Sequence, residues 1–330
     1  MRKILLGNSD IQVSTQGLGC MGMSEFYGEA EPLNAYQVLK EAISLGVNFF
    51  DTADMYAYGE NERLLSEILS QHPAREELII ATKCGIVRDK SQPTARHIDN
   101  SPEYIKASCD RSTLRLNTHI DLYYLHRVKD DKQSIKLAMQ AMAELLSEGK
   151  IRAVGLSEVS AENILFAHDC LLTYTQGRQG LSAIQTEYSL LSRDVERNGV
   201  LDTCQQLGIS FVAYSPICRG LLSGAIQSKD DLVVTDFRQN LPRFNQENLA
   251  HNNQFTQALA QLAQANNCTA AQLSLAWLSK HRTNVISIPG TKRIEYLREN
   301  VAAAAISLSQ SDYQHLTELS DAFIVKGERY

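Results

Sequence analysis

The stretch DLYYLHRVKDDKQSIKLAMQAMAELLSEGKIRAVGLS, residues 121–157, reads as a strand, a helix and a second strand. Residues 121–126 are a short run of Leu and Tyr between polar ends, and residues 151–157 are largely apolar again. Between them, residues 133–148 repeat their apolar side chains at helical spacing and stop before Gly149, where a left-handed cap suits glycine. Strands joined through a helix lie parallel in one sheet.

The same rhythm runs outward to both ends of the chain. Further strands are expected at residues 17–20, 48–52, 78–83, 183–187, 210–215 and 285–289, which makes eight in all. Helices are expected at residues 33–45, 61–71, 102–116, 161–167, 195–207, 253–265 and 293–303, with extra helices at 270–280 and 311–321. Gly46 and Gly208 close the first and sixth as Gly149 closes the fourth. A short hairpin opens the chain: residues 3–6, a turn at Gly7-Asn8-Ser9, and residues 11–13. Eight strand–helix units imply an α/β fold with a parallel sheet, either open and doubly wound or closed into a barrel. The long irregular stretch, residues 217–250, follows the seventh strand, where barrel enzymes carry covering loops.

Length alone, 330 residues, suggests two domains at about 100–200 residues each, but no linker or composition shift supplies a boundary. We therefore expect a single domain over residues 1–330. With 44% apolar and 21% charged residues, the chain is neither disordered nor of low complexity. Its net charge is -6 and no basic run tracks a phosphate backbone, so a nucleic-acid partner is not expected. No stretch approaches the ~18 apolar residues of a membrane helix, and no secretory leader is evident. Seven scattered cysteines without close pairs suggest a reducing cytoplasm and no zinc or redox site.

Gly17-Leu18-Gly19-Cys20-Met21-Gly22 matches the GxGxxG of a dinucleotide-binding Rossmann turn. The context fails: the helix begins only near Leu33, and the acidic residue, Asp51, lies beyond the expected spacing of about 20 positions.

Residues two apart on a strand share a face. Phe49 leads to Asp51 on this rule, Ile79 and Ala81 to Lys83, Leu122 and Tyr124 to His126, Ala153 and Gly155 to Ser157, Ala183 to Gln185, and Val212 to Tyr214. In a closed barrel these polar residues converge at one mouth, joined by Tyr56 just beyond the second strand. Singly each has an ordinary explanation, a turn cap, a solvated end or core packing; the joint pattern carries the weight. A phenol near pKa ~10 is a poor acid at neutral pH, whereas an ammonium at ~4 Å and an effective dielectric of ~20 offers about 4 kcal/mol towards the phenolate. Lys83 is expected to supply that charge to Tyr56, Asp51 to hold Lys83, and His126 to orient a carbonyl. Such a site protonates an oxygen and needs a hydride source. Ile288-Pro289-Gly290-Thr291-Lys292-Arg293 enters a helix with free N–H groups, a hydroxyl and two cations, which suits the extra phosphate of NADP better than NAD. Tyr214 offers an aromatic face for nicotinamide. Asp51 and His126 alone make a poor metal ligand set, so no metal is expected.

The sequence resembles the aldo-keto reductases. The resemblance runs nearly end to end through Gly17-Leu18-Gly19, residues 50–56, Ala81-Thr82-Lys83, residues 121–127, Gly149 to Arg152, Gly155-Leu156-Ser157, residues 185–188, Tyr214-Ser215-Pro216 and Pro289 to Lys292. Within that family it is most similar to the bacterial, plant and fungal branch that reduces aldehydes and sometimes pyridoxal. The resemblance implies a (β/α)8 TIM barrel, with an N-terminal hairpin under it and NADPH across its top. It implies Tyr56 as proton donor tuned by Lys83 and Asp51, and His126 orienting the carbonyl of a small-molecule substrate. It further implies Ser157 and Gln185 on the carboxamide, Tyr214 on nicotinamide, and Ser215, Arg219, Gly220 and Leu221 along the pyrophosphate. Gly290, Thr291 and Lys292 would take the phosphate on the ribose, and Glu299 and Asn300 the adenine. Glu158 and Tyr296 depart from the family pattern, at positions where many members carry Asn and Arg. A cofactor-sensing regulatory subunit built on the same barrel is the alternative reading.

Overall fold

The computed structural model describes residues 1–281 and 284–330. Eight parallel strands, β1 (Leu18–Gly19), β2 (Phe49–Asp51), β3 (Ile79–Cys84), β4 (Ile120–Leu125), β5 (Ile151–Ser157), β6 (Ala183–Glu187), β7 (Ser210–Tyr214) and β8 (Val285–Ser287), follow one another in a single curled sheet. Parallel bridges from Gln16 to Ser287 and from Gly19 to Gly290 join the first strand to the last and close the barrel. Around it lie α1 (Pro32–Ser44), α2 (Glu60–Leu69), α3 (Pro102–Leu116), α4 (Lys132–Ser147), α5 (Ala161–Tyr174), α6 (Asp194–Arg197), α7 (Val200–Leu207), α8 (Gln246–Ala265), α9 (Ala270–His281), α10 (Ile294–Ala302) and α11 (Gln310–Ala322). This is the (β/α)8 TIM barrel, the closed alternative of the two that the strand–helix rhythm allows.

Two cores follow from the strand period. Inward side chains, including Phe49, Ile79, Leu122, Tyr124, Val212 and Ile286, fill the barrel, and Leu6, Ile11 and Val13 of the N-terminal hairpin (Lys3–Leu5 with Gln12–Ser14) plug its lower end. Outward side chains pack under the helices in a larger layer that includes Trp277. Tyr124 stands opposite Gly155 across β4 and β5, and a Cβ there would lie 2.4 Å from the Tyr124 ring. Only glycine accommodates that ring.

Departures from the expected elements have local as well as tertiary causes. Residues 86–98, for which no element is expected, form a second antiparallel hairpin, Ile86–Asp89 with Gln92–Ile98. The sixth helix breaks into α6 and α7 at Gly199, whose φ of +81° no helix continues. Helix α8 starts seven residues upstream of expectation, and its added first turns are tied down where Asn252 donates to the Arg243 and Lys326 carbonyls. Residues 217–250 are not loose: short 3-10 turns at Cys218–Ser223, Lys229–Asp231, Phe237–Asn240 and Pro242–Phe244 fold them over the barrel mouth. Among the described residues, no helix is long and apolar enough to cross a membrane, and no cluster of His, Cys, Asp and Glu is arranged for a metal ion.

Candidate active site

The upper ends of the strands bring the polar residues of the alternation together. Lys83 of β3 is fully buried, and its Nζ donates to Asp51 Oδ1 of β2 and to the Thr52 carbonyl (2.8 Å). The second oxygen of Asp51 accepts from Gln185 Nε2 of β6 at 2.7 Å. One carboxylate thus ties three strands. Tyr56 follows β2 on a tight turn in which Ala57 and Tyr58 take left-handed φ values of 46° and 56°. Such a conformation costs a non-glycine residue roughly 1 kcal/mol, and persists where its surroundings enforce it. Here the Ala57 N–H donates to Glu25 Oε2 (2.8 Å) and the Met55 carbonyl accepts from Arg88 (2.9 Å), while Arg88 and Glu25 form a bidentate pair at 2.8 Å for both contacts. The turn is therefore clamped on both sides of Tyr56.

The Tyr56 ring meets the His126 ring edge-on, with centroids 5.7 Å apart, and Lys83 Nζ lies 5.4 Å from the Tyr56 centroid. Burial first, then the Asp51 charge, pushes the Tyr56 phenol well above its ordinary value. This corrects the expectation that Lys83 lowers it: the ammonium is already engaged by Asp51 and Thr52, and desolvation dominates. Burial also pulls Lys83 below its usual value, with Asp51 offsetting part of the shift. For His126, burial and the positive charges of Lys83, Arg127 and Arg96 act in one direction, holding it well below the usual imidazole value. The ring is neutral at pH ~7, and its buried Nδ1 has no hydrogen-bond partner among the described residues. The site thus presents a protonated phenol and a neutral imidazole side by side over a buried ion pair. That arrangement can hold a carbonyl oxygen and give it a proton.

A cavity of about 600 Å³ opens from this point. Asp51, Tyr56, His126, Ser157, Gln185, Tyr214, Ser215, Arg219, Gly220, Gly290, Thr291, Lys292, Glu299 and Asn300 all line it. Lys83 lies behind the wall, sealed by Asp51. Leu221 does not reach the cavity; it is fully buried in the outer core, with its carbonyl accepting from Thr256. Glu158, at φ +53°, turns away from the cavity and accepts from the Tyr214 hydroxyl (2.9 Å) and the Glu187 N–H (3.1 Å). Arg219 pairs with buried Glu187 at 3.2 Å. Lys292 donates to the Tyr27 carbonyl (2.8 Å) and to that of Glu29, tying residues 27–29 to the entry of α10. Arg293 stacks over Tyr296 at 4.1 Å.

Several residues of the site escaped the sequence reading. Arg96, Arg127 and Tyr330 line the cavity, and Glu25 and Arg88 clamp the Tyr56 turn. The Tyr330 hydroxyl lies 2.8 Å from that of Tyr214, and the Arg219 guanidinium lies 4.8 Å from the Tyr330 ring. Among the residues that escaped, only Arg127 carried a signal, as the residue directly after His126.

An eight-stranded parallel barrel with its cavity at the C-terminal ends of the strands is the architecture of the (β/α)8 enzymes. The family model for the Aldo/keto reductase family matches residues 17–321, and the chain belongs to that family, whose members are oxidoreductases that use nicotinamide cofactors on carbonyl compounds. Among solved structures, it is 28% identical to an aldo-keto reductase from Bacillus halodurans in its holo form, covering 98% of each chain with a TM-score of 0.76. It is 27% identical to a thermostable aldo-keto reductase solved with the inhibitor epalrestat, covering 97% of this chain and 100% of that one, with a TM-score of 0.75. A glycerol dehydrogenase from Gluconobacter oxydans shares the fold at a TM-score of 0.81 and 23% identity, over 96% of this chain and 94% of that one.

Proposed function

We propose that the protein is an NADPH-dependent reductase of aldehydes and ketones, of the aldehyde- and pyridoxal-reducing kind, with residues 1–330 forming one domain. The observation that carries this reading is the pair of uncharged donors, Tyr56 and His126, beside the buried Lys83–Asp51 pair. His126 orients the substrate carbonyl by a hydrogen bond, and the Tyr56 hydroxyl gives its proton to the carbonyl oxygen. Burial keeps that proton on the phenol until negative charge develops on the substrate, and Lys83 then stabilises the tyrosinate left behind. A nicotinamide dinucleotide, when bound, supplies the hydride. The residues present fit one: Ser157 and Gln185 offer carboxamide partners, Tyr214 a ring face, Ser215, Arg219 and Gly220 a passage for the diphosphate, and Glu299 and Asn300 polar groups for adenine. The start of α10 has no side-chain cap on its N–H groups and carries Gly290, Thr291 and Lys292, a setting for the extra phosphate of NADPH. Seven unpaired cysteines suit a reducing compartment such as the cytoplasm.

The test is a screen of aldehydes, ketones and pyridoxal with NADPH and NADH in parallel, following loss of the reduced cofactor. Turnover faster with NADPH is expected. Tight cofactor binding with negligible turnover on every carbonyl, and co-purification with a stoichiometric protein partner, would instead identify the regulatory subunit.

A further inference from the structure

Arg88 and Arg96 face each other across the second hairpin, in register on its two strands. Like charges directly opposed on one face destabilise a strand pair. Arg88 is neutralised: Glu25 holds it with both oxygens, and the pair is largely buried. Arg96 has no carboxylate within ion-pair distance among the described residues, and its guanidinium lies 5.7 Å from the ring of Phe26, which packs against the cluster containing Tyr56. A second arginine shares its condition. Arg127 directly follows His126, is half-buried, and gives one N–H to the His126 carbonyl at 2.8 Å, with no carboxylate partner among the described residues.

Both arginines line the cavity at the Tyr56–His126 end. The acidic side chain on that wall, Asp51, already receives Lys83 and Gln185. The remaining lining there is apolar, from Met21, Phe26, Met55 and Ile86. Two guanidiniums with donors to spare, Arg127 half-buried and Arg96 exposed, therefore stand at this end of the cavity without a carboxylate partner among the described residues, and a guanidinium fork matches a carboxylate or a phosphate bidentately.

We infer that the physiological substrate carries an anionic group, a carboxylate or a phosphate monoester, held by Arg96 and Arg127 while its carbonyl meets Tyr56 and His126. This rests on the reading of the site as a carbonyl reductase. Its positive field also steers such substrates to the mouth, an effect that salt screens.

The experiment compares kcat/KM for matched aldehydes that differ in the anionic group: para-formylbenzoate against its methyl ester, and pyridoxal phosphate against pyridoxal. The wild-type protein should favour the anionic member of at least one pair by about tenfold or more, through KM, and added salt should shrink that ratio. The pair that shows it distinguishes carboxylate from phosphate. Arg96→Gln and Arg127→Gln should bring the ratio towards unity, and Arg96→Lys should restore part of it. Equal kcat/KM within both pairs overturns the inference and leaves carbonyl reduction standing. A preference that survives the double Arg96→Gln/Arg127→Gln variant overturns the assignment to these two residues. No turnover of any of the four aldehydes with either cofactor overturns the carbonyl-reductase reading along with it. Because the ratio and its salt dependence are read first on the wild-type protein, a variant that fails to fold does not shield the proposal.

Discussion

The two ends of the barrel are built to opposite standards. At the lower end, Asp121, the second residue of β4, receives four donors: the Ile80 N–H (2.9 Å), Arg75 (3.0 Å), Arg152 (2.8 Å) and the His119 ring (3.1 Å). The hairpin plug beside it is satisfied in the same way, with Asn48 accepting from the Ser14 N–H and donating to the Gln12 and Glu77 carbonyls. At the upper end, Phe26, Ala57, Tyr58, Glu158, Ser215, Cys218 and Arg219 all take positive φ values between 46° and 76°, and His126 Nδ1 is buried without a partner among the described residues. Seven of the non-glycine residues with positive φ and the unpartnered His126 Nδ1 thus lie where substrate and cofactor would enter, and the lower end supplies stability that tolerates them.

That division can be broken at either end. The largest effect is expected from Tyr56→Phe, which removes one oxygen and should lower kcat by about a thousandfold while cofactor binding, read by fluorescence titration, stays intact. Near-normal kcat would remove Tyr56 from the proton-donor role. At the opposite end, Asp121→Ala leaves Arg75 and Arg152 without their buried anion and should destabilise the fold by about 3 kcal/mol in denaturant melts. Its kcat under folded conditions should match the wild type; a large loss would show that the two ends are not separable.

A smaller effect tests the clamp. Arg88→Met frees the Met55 carbonyl and loosens Glu25 on the Ala57 N–H, so the strained turn should relax, with kcat falling about tenfold or more and the melting temperature falling as well, because Glu25 loses its largely buried partner. Loss of stability without loss of kcat would make the clamp purely structural. Lys292→Met should narrow the NADPH-over-NADH preference by about tenfold in kcat/KM. The mildest effect is in the acid limb. Burial alone would raise the Asp121 carboxyl, but His119, Arg75 and the Ile80 N–H together hold it below its ordinary value. A depressed folded-state pKa contributes stability above the ordinary carboxylate range that is lost as pH falls below about 4, through the depressed value. Stability measured against pH should therefore fall less steeply there for Asp121→Asn than for the wild type.

The sequence was legible wherever a short-range period decides the outcome. The strand alternation that ends in Asp51, Lys83, His126, Gln185 and Tyr214 depends on nothing beyond each strand, and the structure gathers those residues at one end. The second hairpin was not legible. Residues 86–98 lack a clear alternation, and their pairing is supported by Glu25 and the Tyr56 turn, far away in the chain. Leu221 misled for a related reason: its neighbours Arg219 and Gly220 do line the cavity, but the left-handed turn they make rotates Leu221 into the core.

Local periodicity by itself determined the eight strand–helix units, the parallel sheet and the polar residue that ends six of the eight strands, because side-chain direction repeats every two or 3.6 residues whatever lies elsewhere. Only the tertiary structure decided that the sheet closes, that Tyr56 is pushed up rather than down, and that Arg88 is paired while Arg96 is not. Closure, desolvation and ion pairing all depend on groups brought near from distant parts of the chain, and spacing along the sequence carries no measure of that distance.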